Sequence, residues 1–160
     1  MQVPKELAGE GRLYLDDLRV GQRFKTAEHQ ITKGEITEFA RRYDPQPFHL
    51  DEAAAASSIL SGLAASGWHT AAITMRLLVE SGLPFAGGLI GSGGTLTWPR
   101  PTRPSDTLHV ESEVVEITPS RSRPDRGIVK VRSLTINQSG EVVQDLTANL
   151  VVPRREVTSP

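Results

Sequence analysis

The spacing of apolar residues predicts a strand followed by an amphipathic helix near the start of the chain. Residues 22–31 have the composition of a strand, although their alternation is imperfect. Beyond them, apolar residues recur three or four positions apart, which is the spacing of one face of an α-helix. The residues on this face are Ile36, Phe39, Ala40 and Tyr43.

The ends of this helix are also marked in the sequence. Thr32 and Glu35 fit a capping box, in which Thr32 caps the helix and the Glu35 side chain reaches back to the N–H of the cap. Pro45 predicts the end of the helix, because the residue before a proline is pushed out of the α region. Asp51 is expected to cap a short helical turn over residues 52–56.

The second half of the chain combines one long helix with consecutive strands. Apolar residues surround most of the segment 67–80, which predicts a buried helix, and Gly82 is expected to form its left-handed C-terminal cap. The turn signal Ser139-Gly140 predicts a tight hairpin. Strand-like stretches follow the helix at residues 89–98, 107–117, 128–137 and 142–152. This order predicts an α+β fold, with a curved antiparallel β-sheet wrapped around the long central helix.

Length and composition limit the classes of function. The 160 residues fit one domain, which we expect over 13–153, with flexible segments at 1–12 and 154–160. The net charge is −1 and the charges are interspersed, so we expect no nucleic-acid partner and no membrane partner. The chain has no cysteine, which excludes thiolate chemistry. No apolar stretch approaches the ~20 residues that span a bilayer, and a cytoplasmic protein is expected.

One short segment combines two residues suited to acid–base chemistry. Asp44 and His49 lie directly after the first predicted helix, in a loop that Pro45 and Pro47 are expected to keep stiff and extended. A histidine exchanges protons near neutral pH, and a carboxylate can share or orient that proton. Gly67 begins the central helix, so its backbone N–H is expected to be an unpaired donor at the positive end of the helix dipole.

Each of these residues also has a purely structural explanation. Asp44 can form a loop turn, His49 can be a hydrogen-bonded structural residue, and Gly67 can be a hinge before the helix. The residue chemistry alone therefore predicts an acid–base loop and names no substrate. No metal site is expected, because the other histidines are not at ligand spacing: His29, His69 and His109.

The segment Asp44-Pro45-Gln46-Pro47-Phe48-His49 resembles the Asp-x-Asn-Pro-aliphatic-His motif of the MaoC-like family, which includes the (R)-specific enoyl-CoA hydratases. Gly67 lies where the family has a His-Gly pair, and residues 96–101 and 105–108 resemble a later strand and turn of the family. The resemblance covers about Tyr14 to Val152. It implies the hot-dog fold, in which a sheet wraps a long helix and subunits dimerise.

The resemblance also implies an activity. The protein would be a hydratase or dehydratase that converts a trans-2-enoyl-CoA and water into a 3-hydroxyacyl-CoA. Asp44 and His49 would activate or release the water, and the Gly67 N–H would polarise the thioester carbonyl. An acyl-CoA thioester would be the substrate, with no separate cofactor, and the chain would form a homodimer.

Three positions near the motif depart from the family pattern. Gln46 replaces the usual asparagine, Ser66 replaces the histidine before Gly67, and Trp68 stands where small aliphatic residues are common. We expect all three positions to lie in the substrate site, where they leave the acyl specificity open. Trp68 either restricts the pocket or anchors the helix in the core.

Two other functions stay open from the sequence. Hot-dog proteins also act as acyl-CoA thioesterases, and fold alone does not choose between the reactions. The substitutions at Gln46 and Ser66 also fit a non-catalytic acyl-CoA binding module. Several arginines are candidates for the phosphates of coenzyme A, or else are solvated surface charges: Arg100, Arg103, Arg121, Arg123 and Arg126.

Overall fold

The computed structural model describes residues 11–156, which form one antiparallel sheet with helices packed against it. A short 3₁₀ turn, Leu15–Asp17, precedes the sheet, and a π-helical turn, Leu78–Gly82, extends the longest helix. The helices are α1 (Lys33–Tyr43), α2 (Pro47–Leu50), α3 (Glu52–Ala56) and α4 (Gly67–Leu77). The strands are β1 (Arg23–Lys25), β2 (His29–Gln30), β3 (Ile90–Thr97), β4 (Thr107–Pro119), β5 (Arg126–Ile136) and β6 (Val142–Pro153).

The sheet has the strand order β1-β4-β5-β6-β3, and β2 pairs with β4 beyond the end of β1. All strand pairs are antiparallel, and β5 and β6 are joined at the predicted Ser139-Gly140 turn, where Gly140 has φ +75°. Among the described strands, β3 pairs only with β6 and so forms one edge. The predicted α+β fold is confirmed.

The hydrophobic core lies between the sheet and the helices. Valines that alternate along β4, β5 and β6 face it and are fully buried or nearly so: Val110, Val114, Val129, Val131, Val143 and Val152. Ile36 and Ala40 of α1 are also fully buried. Burying one of the larger apolar side chains contributes roughly 1.5–3 kcal/mol. A shift of one residue in the pairing would turn this layer away from the core, so the layer fixes the register of the strands.

The predicted strand over residues 22–31 is divided into β1 and β2, and Thr26 explains the interruption. The Thr26 N–H donates to the carbonyl of Val110, while the Thr26 hydroxyl oxygen accepts a hydrogen bond of 2.8 Å from the Val110 N–H. A side chain thus replaces one backbone acceptor in the ladder, which ends regular pairing at this point.

Helix α1 begins and ends as the sequence predicts, but its capping box is incomplete. The Thr32 hydroxyl accepts from the Glu35 N–H, and the helix ends at Tyr43, two residues before Pro45. The prediction that the Glu35 side chain returns to the cap is wrong. Its carboxylate instead accepts a 2.9 Å hydrogen bond from Nε2 of His29.

Helix α4 is buried on one side only, so the prediction of a helix buried all round is wrong. Ile73, Thr74 and Leu77 face the sheet. The outer face carries Trp68 and Met75, whose side chains are 62% and 44% exposed, and Val79 of the π-helical turn that follows is 38% exposed. The apolar composition reflects an outer face that the single chain leaves uncovered.

The predicted left-handed cap at Gly82 is also wrong. Gly82 does not have a positive φ, and it lies at the end of the π-helical turn. A Cβ atom at this position would lie 2.8 Å from Cγ2 of Thr26. Close packing between the turn and the chain after β1 therefore requires glycine here, and backbone handedness does not.

The last described residues contact the start of the domain. The Arg154 N–H donates to the Asp125 carbonyl, and the Arg155 guanidinium donates to Asp17 at 2.7 Å and lies over the Tyr14 ring. Most of the segments 1–12 and 154–160, which the sequence predicts to be flexible, lies outside the described residues.

Candidate active site

Asp44 and His49 are brought together by a sharp change of direction after α1. Asp44 caps the C-terminus of α1 through its N–H, which donates to the Ala40 carbonyl. Pro47 then begins α2, where its fixed φ suits the first helical position. The predicted extended loop is therefore wrong beyond Gln46. This turn places Nε2 of His49 3.2 Å from Oδ2 of Asp44.

A backbone carbonyl fixes the orientation of the His49 ring. Nδ1 of His49 lies 2.6 Å from the carbonyl oxygen of Ala64. A carbonyl oxygen only accepts, so Nδ1 carries the proton and donates it to this bond. Nε2 is left as the nitrogen that faces Asp44. The ring is buried, which restricts its movement.

The surroundings of Asp44 favour its ionised form. Its side chain is only 17% exposed, and burial raises the pKa. That effect is outweighed by Ser66 and Gln46, together with the positive charge and hydrogen bonding of His49, so the pKa of Asp44 lies below its ordinary value. The Gln46 amide donates to Oδ1 of Asp44 at 2.6 Å. Asp44 is therefore a carboxylate at neutral pH.

Ser66 precedes α4 and is fully buried, but its side chain does not cap the helix. Its hydroxyl has no hydrogen-bond partner of ordinary geometry among the described residues. It is nevertheless near enough to Asp44 to help lower the pKa of that carboxyl. Ser66, one of the positions that depart from the family pattern, therefore places a hydroxyl beside Asp44.

Gly67 is the first residue of α4, and within residues 11–156 its N–H has no hydrogen-bond acceptor. This donor lies at the positive end of the helix dipole. The Trp98 indole packs directly on Gly67: a Cβ atom there would lie 2.6–2.8 Å from three ring atoms. Only glycine fits between the helix and this ring.

These groups meet in one cavity of about 320 Å³. Asp44, His49 and Gly67 line it, and Trp68, Trp98 and other largely apolar residues complete its wall. Gln46 and Ser66 do not line the cavity, and they affect it by lowering the pKa of Asp44. A groove of about 390 Å³ lies elsewhere, on β1, β4 and β5, but charged side chains dominate its walls and no histidine lines it.

Trp68 lies at the mouth of this cavity and does not anchor the core. Its side chain is 62% exposed, which contradicts the second of the two alternatives, an anchor of the helix in the core. Its ring meets the Trp98 ring edge to face, with 5.3 Å between the ring centroids. Trp98 contacts both Gly67 and the Trp68 ring, so the wall against the helix start is Trp98.

Of the arginines considered for coenzyme A, only Arg100 lines the cavity. Its guanidinium is 2.8 Å from a Glu141 carboxylate oxygen and its side chain is largely exposed. Arg103 instead donates to the backbone carbonyls of residues 60, 62 and 63, so its charge is used to hold this loop. Arg126 pairs with its neighbour Asp125 in the β4–β5 turn, outside the cavity.

Three groups hold the site in place in roles that were not predicted from the sequence. They are the Ala64 carbonyl, the Arg103 side chain and a buried Gln144 that contacts Trp98. Only Gln144 carries a sequence signal, because a glutamine stands among the apolar residues at the start of a predicted strand. Ala64 and Arg103 act through backbone carbonyls, which no side-chain motif records.

Two further findings concern the part of the chain that the structure describes. No three histidine or acidic side chains within it converge where they could hold a metal ion. None of its helices has the length and apolar character that crossing a bilayer requires.

Comparison with known proteins places the chain in a family. A solved structure of a MaoC-like dehydratase from Rhodospirillum rubrum is 63% identical, with a TM-score of 0.89, covering 91% of this chain and 99% of that one. An unliganded R-hydratase from Pseudomonas aeruginosa has a TM-score of 0.73 at 29% identity, covering 93% and 94% of the two chains. A 3-hydroxybutyryl-CoA dehydratase from Methylorubrum extorquens is 32% identical over 149 residues, 92% of this chain and 89% of that protein. Residues 17–136 match the family model described as MaoC like domain, and the chain therefore belongs to the MaoC-like family, with its hot-dog fold.

Proposed function

We propose that this protein is a hydro-lyase that adds water reversibly to a trans-2-enoyl-CoA and forms a 3-hydroxyacyl-CoA. The observation that carries the proposal is the 3.2 Å separation of Asp44 and His49 in the cavity that also contains Gly67. The relatives support the same reaction class, since they include a 3-hydroxybutyryl-CoA dehydratase and an R-hydratase.

The acid–base pair accounts for the transfer of the proton. The ionised Asp44 carboxylate takes a proton from a water molecule that Nε2 of His49 also contacts, as the water oxygen attacks C3 of the enoyl group. The π electrons of the C2–C3 bond move toward the thioester carbonyl and form an enolate. The pair then returns a proton to C2, so that one water is consumed and the site regains its starting state.

Gly67 stabilises the charge that develops on the thioester oxygen. Its N–H has no internal acceptor in the described chain and points from the first turn of α4, so it can donate to the enolate oxygen without breaking another bond. No oxidant or reductant takes part in this balance. Coenzyme A is then part of the substrate, and no separate cofactor is required.

The active form of the protein is a homodimer in this proposal. The edge strand β3 is exposed along almost its whole length, and exposed apolar side chains lie on α4, namely Trp68 and Met75, and on the π-helical turn after it, namely Val79. A second copy that pairs along β3 would cover an open sheet edge. Sedimentation equilibrium should give twice the 17.4 kDa of one chain; a monomeric mass at micromolar concentration contradicts this part of the proposal.

The reaction is tested by the absorbance of the enoyl thioester after mixing with crotonyl-CoA and with longer and branched enoyl-CoAs. The wild-type protein should remove the band. Asp44→Asn and His49→Ala should each lower kcat/KM by about 10²–10⁴-fold, the usual contribution of a positioned acid–base group. Glu38→Gln and His109→Ala are matched controls outside the cavity and should keep wild-type rates.

The alternative functions give different results in the same experiment. Release of free thiol from saturated acyl-CoAs, abolished by Asp44→Asn, would establish a thioesterase and remove the hydratase proposal. Tight binding of acyl-CoAs without turnover at any chain length would establish a binding module. The cytoplasmic location stays a prediction from composition.

A further inference from the structure

The Trp98 ring fills the space beside the proposed oxyanion donor. Its indole atoms are so close to Gly67 that a methyl group on that residue would overlap them. A thioester carbonyl that accepts from the Gly67 N–H must therefore lie alongside this ring. Trp98 also lines the cavity, so the acyl group attached to that carbonyl extends beside this ring.

The position of Trp98 is set by the sheet. Trp98 directly follows β3, and the register that pairs Thr97 with Asp145 brings it beside Gln144 of β6. The indole N–H donates to Oε1 of Gln144 at 2.9 Å. An indole N–H only donates, so the carbonyl oxygen of the Gln144 amide must face Trp98 and its NH₂ group must face inward.

A buried chain of hydrogen bonds continues inward from Gln144. Its NH₂ group donates to the Thr74 hydroxyl, whose own hydrogen goes to the Thr70 carbonyl. The Thr74 oxygen therefore accepts from the Thr135 hydroxyl, 2.6 Å away. Gln144, Thr74 and Thr135 are each fully buried. Since each bond fixes the direction of the next, the amide cannot turn and Trp98 has one preferred orientation.

We propose that Trp98 determines the acyl specificity of the site and that Gln144 is its positioning residue, an inference that rests on the proposed function. The fixed indole excludes bulk next to the reacting carbons, so the wild-type protein favours short, unbranched acyl groups. Trp68, which is mostly exposed, does not set this limit.

The specificity is measured as the ratio of kcat/KM for trans-2-octenoyl-CoA to that for crotonyl-CoA. Trp98→Ala should raise this ratio by about tenfold or more, since a few methylene groups in an apolar pocket contribute about that much discrimination. Trp98→Leu is a second variant in case the alanine protein does not fold. An unchanged ratio in a folded Trp98 variant overturns the proposal.

The role of Gln144 is tested by a double-mutant comparison. Gln144→Leu should raise the ratio about threefold to fivefold, the change expected from the loss of one hydrogen bond. Trp98→Phe has no N–H to donate, so adding Gln144→Leu to it should change the ratio no further. A Gln144 effect that persists in the Trp98→Phe protein shows that Gln144 acts by another route. Gln30→Leu, on the exposed strand β2, is the matched control and should leave the ratio unchanged.

Calorimetric titration with butyryl-CoA and octanoyl-CoA separates this inference from the proposed function. One outcome is that Trp98→Ala changes the ratio of the two dissociation constants while the wild-type protein turns over no enoyl-CoA. This outcome supports the specificity role and removes the hydratase function. The opposite outcome is that the wild-type protein turns over enoyl-CoAs, while Trp98→Ala leaves both the kcat/KM ratio and the ratio of dissociation constants unchanged. This outcome overturns the specificity role and supports the hydratase function.

Discussion

Arg103→Met should destabilise the protein through the loop that holds His49. The Arg103 guanidinium donates to the carbonyls of Leu60, Gly62 and Leu63, and methionine keeps much of the apolar stem without these donors. Three hydrogen bonds at about 1 kcal/mol each, for a partly buried group, give a loss of about 3 kcal/mol in the free energy of unfolding. Urea unfolding measures this loss.

The same substitution should also slow the reaction. Ala64 follows the loop directly, and its carbonyl fixes the His49 ring through the bond to Nδ1. Loosening the loop allows the ring to move away from Asp44, and a displacement of about 1 Å lowers the rate of such reactions by up to about 10²-fold. We expect kcat with crotonyl-CoA to fall and KM to change little.

Arg100→Met is the matched control for stability, because Arg100 is largely exposed and contacts only a surface carboxylate in the described chain. It should change the free energy of unfolding by less than about 0.5 kcal/mol. Wild-type stability of Arg103→Met, together with a raised KM and an unchanged kcat, would contradict this role of Arg103. That result would show that the Arg103 guanidinium binds the phosphates of coenzyme A.

The remaining predictions concern pH and the substrate's charge. Asp44→Asn should lower the free energy of unfolding at pH 7, because the lowered pKa of Asp44 means that its carboxylate stabilises the folded state. This stabilisation is lost as the carboxylate is protonated, so the difference from wild type should shrink as pH falls below 3.8. Urea unfolding at pH 7 and pH 3 checks the sign. Burial lowers the pKa of His69, so its protonation favours unfolding and wild-type stability should fall below pH 6.5. His69→Phe, which keeps the stacking on Phe39, should be less sensitive to pH between 7 and 5 in the same assay. Arg100→Ala should raise KM for crotonyl-CoA by about threefold to tenfold at low salt, and by less at 0.5 M salt, because salt screens an ionic contact between Arg100 and the phosphates of coenzyme A. Steady-state kinetics at the two salt concentrations decide this.

Most of the fold could be predicted from the sequence because it follows from local patterns. The bounds of α1 were set by Thr32 and Pro45, and the long strands β4 to β6 followed from alternation and turn residues. The errors came from tertiary contacts. Thr26 interrupts a strand by bonding to β4, and Gly82 is required by packing against Thr26. Neither contact leaves a mark within a short window of sequence.

The candidate site was predicted only in part, and the reason is the kind of atom involved. Asp44, His49 and Gly67 form a spacing that a motif can record. For Trp68 the sequence left two alternatives, the pocket or the core, because composition does not tell an internal helix face from one that the single chain leaves exposed. Arg103 was considered for phosphates because its charge is visible in the sequence, whereas its backbone acceptors are not.

The two backbone groups of the site, the Ala64 carbonyl and the Gly67 N–H, come from one segment only four residues long. The carbonyl fixes the histidine ring, and the N–H has no acceptor in the described chain and donates to the thioester in the proposed function. Neither atom belongs to a side chain, so the positions of both depend on the residues that hold the segment from outside and, at position 67, on glycine. Arg103 holds it on the side of Ala64, and Trp98 packs against it at Gly67. Changes at Arg103 should therefore act mainly on kcat through His49, and changes at Trp98 mainly on the choice of acyl group, although both residues lie about 50 positions or more beyond Asp44 in the sequence.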